Sequence, residues 1–136
     1  PDEPDFNRRF IRGDMRYHLA ETPPSDPAAF EKAVLAEIGL PDELVMRHRS
    51  PQFGHIFASD SYSAGYYAYL WADTLVADAG ERFATAPGGF FDPELSRRYY
   101  DIALKVGNSR DPAETYRMLM GRDADPAALL RKRGFA

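Results

Sequence analysis

The chain has 136 residues, of which 44% are hydrophobic and 28% are charged, and its formal net charge is −4. This length is enough for one domain with a core, and we expect a single domain over residues 1–136. The negative charge argues against nucleic-acid binding, because such binding depends on neutralising phosphates. No apolar run approaches the roughly 20 residues that span a bilayer, and the lack of cysteine excludes disulfides and thiolate metal sites.

The N-terminal residues show no basic segment followed by an apolar one, which is the pattern of a secretory signal. The first residue is Pro1 and not methionine, which is compatible with a trimmed or excised piece of a longer chain and equally leaves a natural short protein open. The expected location is cytoplasmic, and we expect neither a membrane nor a nucleic acid as partner.

Repeated capping residues mark the ends of the predicted helices. Four Asp-Pro pairs each offer an aspartate N-cap followed by proline at the first helical position. They are Asp26-Pro27, Asp92-Pro93, Asp111-Pro112 and Asp125-Pro126. Four glycines stand where a helix would end in a left-handed residue: Gly39, Gly107, Gly121 and Gly134. No alternating β-branched run lies between hairpin turns, so the predicted class is all-α.

The pattern predicts three longer helices, over about Phe6–Leu19, Pro27–Ile38 and Ser63–Phe83. Two C-terminal helices and a short segment over 126–133 follow. In the central helix, the expected packing surface consists of Leu70, Trp71, Leu75, Val76 and Ala79.

The segment before the central helix contains the basic cluster Arg47-His48-Arg49. Such a cluster is usually a solvated surface, and the alternative is a patch that binds carboxylates.

The stretch from Ser50 to Trp71 holds His55, four of the eight tyrosines and the only tryptophan. Tyr62, Tyr66 and Tyr69 follow the spacing i, i+4 and i+7, which places them on one face of the predicted central helix. One interpretation is a structural helix whose phenols bond to nearby backbone. The other is a cleft wall whose neutral hydroxyls donate hydrogen bonds to a carbonyl oxygen that becomes an oxyanion.

The histidines do not indicate a metal site in this chain. They are His18, His48 and His55, and no two have the spacing at which one helix offers two imidazoles to one zinc. Asp14 and His18 lie at i and i+4, where a hydrogen bond or salt bridge on the helix surface is the favoured interpretation over a metal site. No nucleophile elbow and no phosphate-binding loop is present.

Several motifs together resemble the thimet oligopeptidase family of zinc metallopeptidases, which includes oligopeptidase A and the bacterial peptidyl-dipeptidases. The central one joins Phe53-Gly-His55 to the segment Gly65-Tyr-Tyr-Ala-Tyr-Leu-Trp71. Colinear matches precede and follow it, at Asp14-Met-Arg-Tyr-His18, His48-Arg-Ser-Pro-Gln-Phe53, Gly88-Gly-Phe-Phe-Asp-Pro93, Gly107-Asn-Ser-Arg-Asp-Pro112, Gly121-Arg122 and Leu129-Leu-Arg-Lys-Arg-Gly134. The loop between His55 and Tyr62 is most similar to that of the peptidyl-dipeptidase branch.

The resemblance implies the helical C-terminal portion of a neurolysin-like metallopeptidase catalytic domain. It also implies that His55 and Tyr66 stabilise the tetrahedral intermediate, and that Tyr62 and Tyr69 bind the substrate near the scissile bond. The family holds zinc with a His-Glu-x-x-His helix and a further glutamate, and that motif is absent here. We therefore expect zinc in the complete enzyme, none bound by this chain alone, and no activity without the upstream part.

Two hypotheses of different classes follow. The leading one is the substrate-binding and transition-state-stabilising part of a zinc oligopeptidase or peptidyl-dipeptidase that hydrolyses short peptides. The alternative is a stand-alone, non-catalytic helical module that binds peptides. One departure from the family concerns the loop before Tyr62, which is usually rich in glycine and here reads Ala58-Ser-Asp-Ser61. Because serine disfavours positive φ, this loop is expected either to take an ordinary conformation or to be stiffer than usual.

Overall fold

The computed structural model describes residues 4–135, and within them it contains α-helices and short helical turns but no strand. The predicted all-α class is confirmed. The α-helices are α1 (Pro4–Leu19), α2 (Pro27–Ala36), α3 (Ala68–Ala84), α4 (Pro93–Tyr99), α5 (Pro112–Met120) and α6 (Ala127–Lys132). Three 3₁₀ turns lie at Ser50–Gln52, Gly54–Phe57 and Gly89–Phe91, and a π-helical segment continues α4 over Tyr100–Leu104. None of the described helices is long and apolar enough to cross a membrane.

The ends of α2 follow from local chemistry. The Asp26 carboxylate accepts hydrogen bonds from the backbone N–H groups of Ala28 and Ala29, and Pro27 is the first helical residue. The helix ends at Ala36, two residues before the predicted end. There the N–H of Leu40 bonds to the Leu35 carbonyl across Gly39, whose φ is +74°. This is the Schellman arrangement, in which a glycine at left-handed φ closes the helix.

The central helix α3 starts at Ala68, so the predicted start at Ser63 is wrong. Tyr62 and Tyr66 lie in turns before the helix, and the predicted stacking of three tyrosines along one helical face is wrong as well. The cause is Ala64, whose φ of +52° does not fit an α-helix. Its N–H donates to the Asp14 carboxylate on α1, a partner 50 residues earlier. A tertiary contact therefore overrides the helical periodicity.

The described residues divide into two compact units, one extending to Leu70 and the other starting at Trp71. We call them the N-terminal unit and the C-terminal unit. The expected single domain over residues 1–136 stays a prediction.

The N-terminal unit has a small apolar core made of Phe10, Leu35, Met46 and Ile56. Four partly buried residues pack against it: Ile38, Leu40, Phe53 and Tyr66. Within the basic cluster, Arg49 Nε lies 3.2 Å from Oε1 of the buried Glu31. The carboxylate that this arginine contacts is therefore one of the chain's own, and the same Glu31 accepts hydrogen bonds from the N–H and hydroxyl of Ser50.

The C-terminal unit is organised around Asp78, whose side chain is fully buried. Its carboxylate accepts hydrogen bonds from Tyr116 Oη (2.7 Å), both terminal nitrogens of Arg122 (2.8 and 2.6 Å) and the N–H of Asp125 (2.8 Å). The hydrogen bond and charge of Arg122 and the other two donors hold the pKa of Asp78 well below its usual range.

The predicted packing face of α3 is wrong in part. Trp71 and Val76 are 61% and 62% exposed, whereas Thr74, Ala77 and Asp78 are buried. The face of the helix that carries Asp78 is buried, because this carboxylate accepts hydrogen bonds from donors in the segment 116–125. Hydrophobicity alone predicted Trp71 and Val76 on the buried face, and the structure leaves both exposed.

Two of the three predicted N-caps of the C-terminal unit are confirmed, and the third, Asp125, lies one residue before the observed N-cap Pro126. Asp92 and Asp111 accept hydrogen bonds from the N–H groups of Leu95 and Glu114, at the starts of α4 and α5. Asp125 accepts from Ala127 N–H, although α6 begins one residue later than expected. The three expected stops all have positive φ: Gly107, Gly121 and Gly134.

Candidate functional site

His55 and Tyr62 form the first part of the site. His55 lies on the 3₁₀ turn Gly54–Phe57, and Tyr62 lies in the turn that follows the serine-rich loop. Their ring centroids are 4.4 Å apart, with the planes tilted by 53°. Both residues are exposed, and the Tyr62 side chain is 46% accessible. These two polar rings therefore stand together at the surface of the N-terminal unit.

Tyr66 and Tyr69 form the second part. Their ring centroids lie 4.9 Å apart, with Tyr66 partly buried and Tyr69 56% exposed. The Phe53 ring joins the two parts, since its centroid is 5.5 Å from that of His55 and 6.0 Å from that of Tyr66. We call this series the aromatic row, ordered Tyr62, His55, Phe53, Tyr66 and Tyr69. It brings all four predicted site residues together, although not by the helical spacing that we expected.

The Tyr66 ring is anchored in the core while its hydroxyl keeps its proton. The ring centroid lies 4.5 Å from that of the buried Phe10. Burial and the neighbouring Tyr69 raise the pKa of Tyr66 above its ordinary value near 10. Among residues 9–135, the backbone N–H of Tyr66 donates a hydrogen bond to Asp14, and the Tyr66 hydroxyl has no partner. At neutral pH this phenol is therefore a fixed, neutral donor.

Asp14 on α1 supports the site, and the sequence analysis did not assign it that role. Its carboxylate is 1% exposed, and it accepts hydrogen bonds from the N–H groups of Ala64 (3.1 Å) and Tyr66 (2.9 Å). The expected pair with His18 is confirmed, at 2.9 Å from Nδ1 to Oδ1, but Asp14 is buried and does not lie at the helix surface. The sequence does contain an indication that Asp14 is buried and partnered. It lies on the same helical face as Phe10 and Tyr17, where a carboxylate without a partner would be costly.

The glycine-free loop takes an ordinary conformation. Among residues 4–135, Ala64 is the sole non-glycine residue with positive φ, so none of the residues 58–61 needs the left-handed region. The strained position, Ala64, therefore lies after Tyr62 and outside the glycine-free loop of residues 58–61. Of the two expectations for this loop, the first is the one observed.

A metal site is not formed by the described part of the chain. Within residues 4–135, no three histidine, aspartate or glutamate side chains come together in a way that could hold an ion. Asp14 and His18 are a pair without a third ligand, and the Asp14 oxygens already accept two backbone hydrogen bonds. The residues present therefore do not fit the zinc that the resemblance implies for the complete enzyme.

Comparisons with known proteins identify the family of the chain. The sequence model of Peptidase family M3 matches residues 12–135. The chain is 44% identical over 87 residues to "Oligopeptidase A" of Haemophilus influenzae, covering 63% of this chain and 12% of that protein. It is 38% identical over 128 residues to "Oligopeptidase A" of Escherichia coli, and 38% identical over 125 residues to "Dipeptidyl carboxypeptidase" of Salmonella typhimurium. These two alignments each cover 89% of this chain and 18% of the relative.

The chain thus spans less than a fifth of the length of these relatives. The two longer alignments have equal identity, so placement in the peptidyl-dipeptidase branch stays a prediction. The match over nearly the whole chain confirms the expected resemblance, and the chain belongs to Peptidase family M3.

Proposed function

We propose that this chain forms the substrate-binding and transition-state-stabilising part of an M3 peptidase that hydrolyses short peptides. The observation that carries the proposal is the aromatic row, in which the Phe53 ring links the pair His55–Tyr62 to the pair Tyr66–Tyr69. Polar rings concentrated at the surface of a small unit suit the binding of an extended peptide, whose backbone offers carbonyl oxygens to donors.

In this proposal Tyr66 and His55 are the catalytic residues. The Tyr66 hydroxyl is protonated, held by a packed ring and without a partner among the described residues, so it can donate to the carbonyl oxygen of the substrate. As the carbonyl carbon becomes tetrahedral, negative charge grows on that oxygen and the hydrogen bond strengthens. His55, on the other side of Phe53 in the row, is proposed as a second donor. A donor that is already in place stabilises this charge without reorganising during the reaction.

Tyr62 and Tyr69 are proposed as substrate-binding residues at the two ends of the row. Each is about half exposed and contacts a proposed catalytic ring, Tyr62 against His55 and Tyr69 against Tyr66. Their rings can cover the peptide on either side of the scissile bond, and their hydroxyls can bond to its backbone.

Zinc belongs to the complete protein in this proposal. When bound, it would supply the activated water that hydrolyses the peptide. Because the described residues offer no ligand cluster, the metal-binding residues are expected in the upstream part of the same enzyme, which is then a required partner. We therefore expect no hydrolysis by these 136 residues alone.

The test is the substitution Tyr66→Phe in the complete protein, assayed on a short peptide. Loss of one oxyanion donor is expected to lower kcat about 100-fold while KM changes less than threefold. Tyr67→Phe is the matched control, because it removes the same hydroxyl from an adjacent exposed residue outside the aromatic row. The control is expected to change kcat less than twofold.

An unchanged kcat for Tyr66→Phe would refute the role of its hydroxyl. A complete protein that binds peptides without hydrolysing them would favour the non-catalytic binding module. Hydrolysis or stoichiometric zinc in the 136-residue chain alone would contradict the expectation that the chain is catalytically incomplete.

A further inference from the structure

The turn that carries Tyr66 is held by α1. We propose that Asp14 is a positioning residue for Tyr66: its buried carboxylate fixes the backbone from Ala64 to Tyr66 and so sets where the phenol hydroxyl lies. This inference rests on the proposed function of Tyr66.

The first argument is that the two carboxylate oxygens of Asp14 bond to two different backbone amides. Oδ1 accepts from the N–H of Ala64 at 3.1 Å, and Oδ2 accepts from the N–H of Tyr66 at 2.9 Å. A carboxylate has acceptors only, so both of its oxygens can bond to these amides at once. With 1% of the side chain exposed, water does not compete for these bonds.

The second argument is that α1 contacts Tyr66 at two points. Phe10 and Asp14 lie at i and i+4, on one face of the helix. Phe10 packs against the Tyr66 ring, with centroids 4.5 Å apart, and Asp14 bonds to the Tyr66 N–H. Ring and backbone of one residue are therefore fixed by neighbouring side chains of one helix. The phenol hydroxyl is left as the free end of a side chain that is held at its base.

The third argument is that the turn requires support from outside. Ala64 has a φ of +52°, a conformation that an alanine enters at a cost. His18 completes the support, because its Nδ1 lies 2.9 Å from both Oδ1 and the main-chain oxygen of Asp14. These two acceptors lie closer to Nδ1 than the Ala64 nitrogen does, at 3.3 Å, so we assign the proton to Nδ1, which donates it to Asp14. The carboxylate is thus held from one side and holds the turn on the other.

The test is Asp14→Asn in the complete protein. Asparagine keeps the shape but offers one acceptor oxygen, and its NH₂ group would face a backbone N–H. We expect kcat to fall roughly tenfold to hundredfold with KM changed less than threefold, since a small displacement of a catalytic group has effects of this order. Glu21→Gln is the matched control, because it neutralises an exposed carboxylate just after α1 and is expected to change kcat less than twofold.

A double-mutant cycle separates positioning from a general structural effect. If Asp14 acts through the Tyr66 hydroxyl, Asp14→Asn with Tyr66→Phe has a kcat no lower than that of the slower single variant within about twofold. A second readout does not depend on activity: hydrogen exchange of the Ala64 and Tyr66 amides in the complete protein. It is expected to accelerate more than tenfold in Asp14→Asn and to stay unchanged in Glu21→Gln.

The outcomes are distinguishable. A normal kcat in Tyr66→Phe refutes the proposed function, and with it this inference. Two results overturn the positioning role and leave the proposed function intact, both with a lowered kcat in Tyr66→Phe. One is a normal kcat in Asp14→Asn, and the other is a double variant in which the two effects on kcat multiply. If Asp14→Asn does not fold, the single and double variants are made in the Ala64→Gly background, because glycine adopts the turn without strain. Effects of Asp14→Asn and Tyr66→Phe on kcat that multiply in that background overturn the inference too.

Discussion

Ala64 has the backbone conformation that glycine usually provides. Its φ of +52° costs an alanine about 1–2 kcal/mol relative to a helical or extended residue. Its N–H donates to the Asp14 carboxylate at 3.1 Å. The site therefore contains local strain that a buried carboxylate offsets.

We expect Ala64→Gly to raise the unfolding free energy by about 0.5 kcal/mol. Relief of about 1–2 kcal/mol of strain exceeds the roughly 0.5–1 kcal/mol of extra unfolded-state entropy that glycine brings. The control is Ala33→Gly in α2, an exposed helical site where the same change should cost about 1 kcal/mol. Urea unfolding followed by circular dichroism measures both, and a loss of stability in both variants would argue against the strained turn.

Among the elements, the short helices begin and end where their own residues specify. The N-caps Asp26, Asp92 and Asp111 bond to N–H groups within three residues, and Gly39 and Gly121 stop α2 and α5 at left-handed φ. All these contacts are local in sequence, and that is why they could be predicted. The start of α3 could not, because the residue that delays it, Asp14, lies on another helix.

Two glycines with open space at Cβ test how the backbone conformation at a helix end and in a helix interior affects stability. A Cβ added at Gly121 or at Gly80 would meet no atom within 4 Å, so only the backbone conformation differs between them. Gly121→Ala should lose about 1 kcal/mol of stability because its φ is +77°. Gly80→Ala, in the middle of α3, should gain about 0.5–1 kcal/mol. Urea titrations that moved both midpoints in the same direction would contradict this assignment.

Considered as a whole, the described chain has a buried carboxylate in each unit. Asp14 bonds within the N-terminal unit, and Asp78 bonds to Arg122, Tyr116 and Asp125 within the C-terminal unit. Burial and the Asp78 carboxylate in turn raise the pKa of Tyr116 above its ordinary value. A carboxylate with several donors connects distant segments, and replacing it leaves those donors unpaired.

Asp78 makes the unfolding free energy of the C-terminal unit depend on pH in the acidic range. Its pKa is depressed in the folded state and near 3.9 when unfolded, so the unfolded chain takes up this proton first as pH falls. The stabilisation is therefore complete above about pH 5 and declines as the pH falls below about 4. Asp78→Asn should cost about 2–3 kcal/mol at pH 7, because it removes the buried carboxylate that pairs with the half-exposed Arg122.

The measurement is the unfolding free energy from urea titrations at pH 3, 5 and 7. In Asp78→Asn the decline between pH 5 and 3 should be smaller than in the wild type, although other carboxylates of depressed pKa such as Asp92 keep part of it. Asp123→Asn, an exposed change in the same unit, is the control and should shift stability by less than about 0.5 kcal/mol. Equal declines in the wild type and in Asp78→Asn would contradict the assignment.

By itself, the sequence determined the all-α class, most helix caps and the family, and it predicted which aromatic side chains form the proposed site. These properties rest on residue types and on contacts between near neighbours in the chain, which a sequence displays directly. Only the tertiary structure decided that Tyr62 and Tyr66 precede α3, that Phe53 joins them to His55 and Tyr69, and that Asp14 and Asp78 are buried. Each of these depends on a buried polar or aromatic group meeting partners far along the chain, and such partners carry no periodic signal.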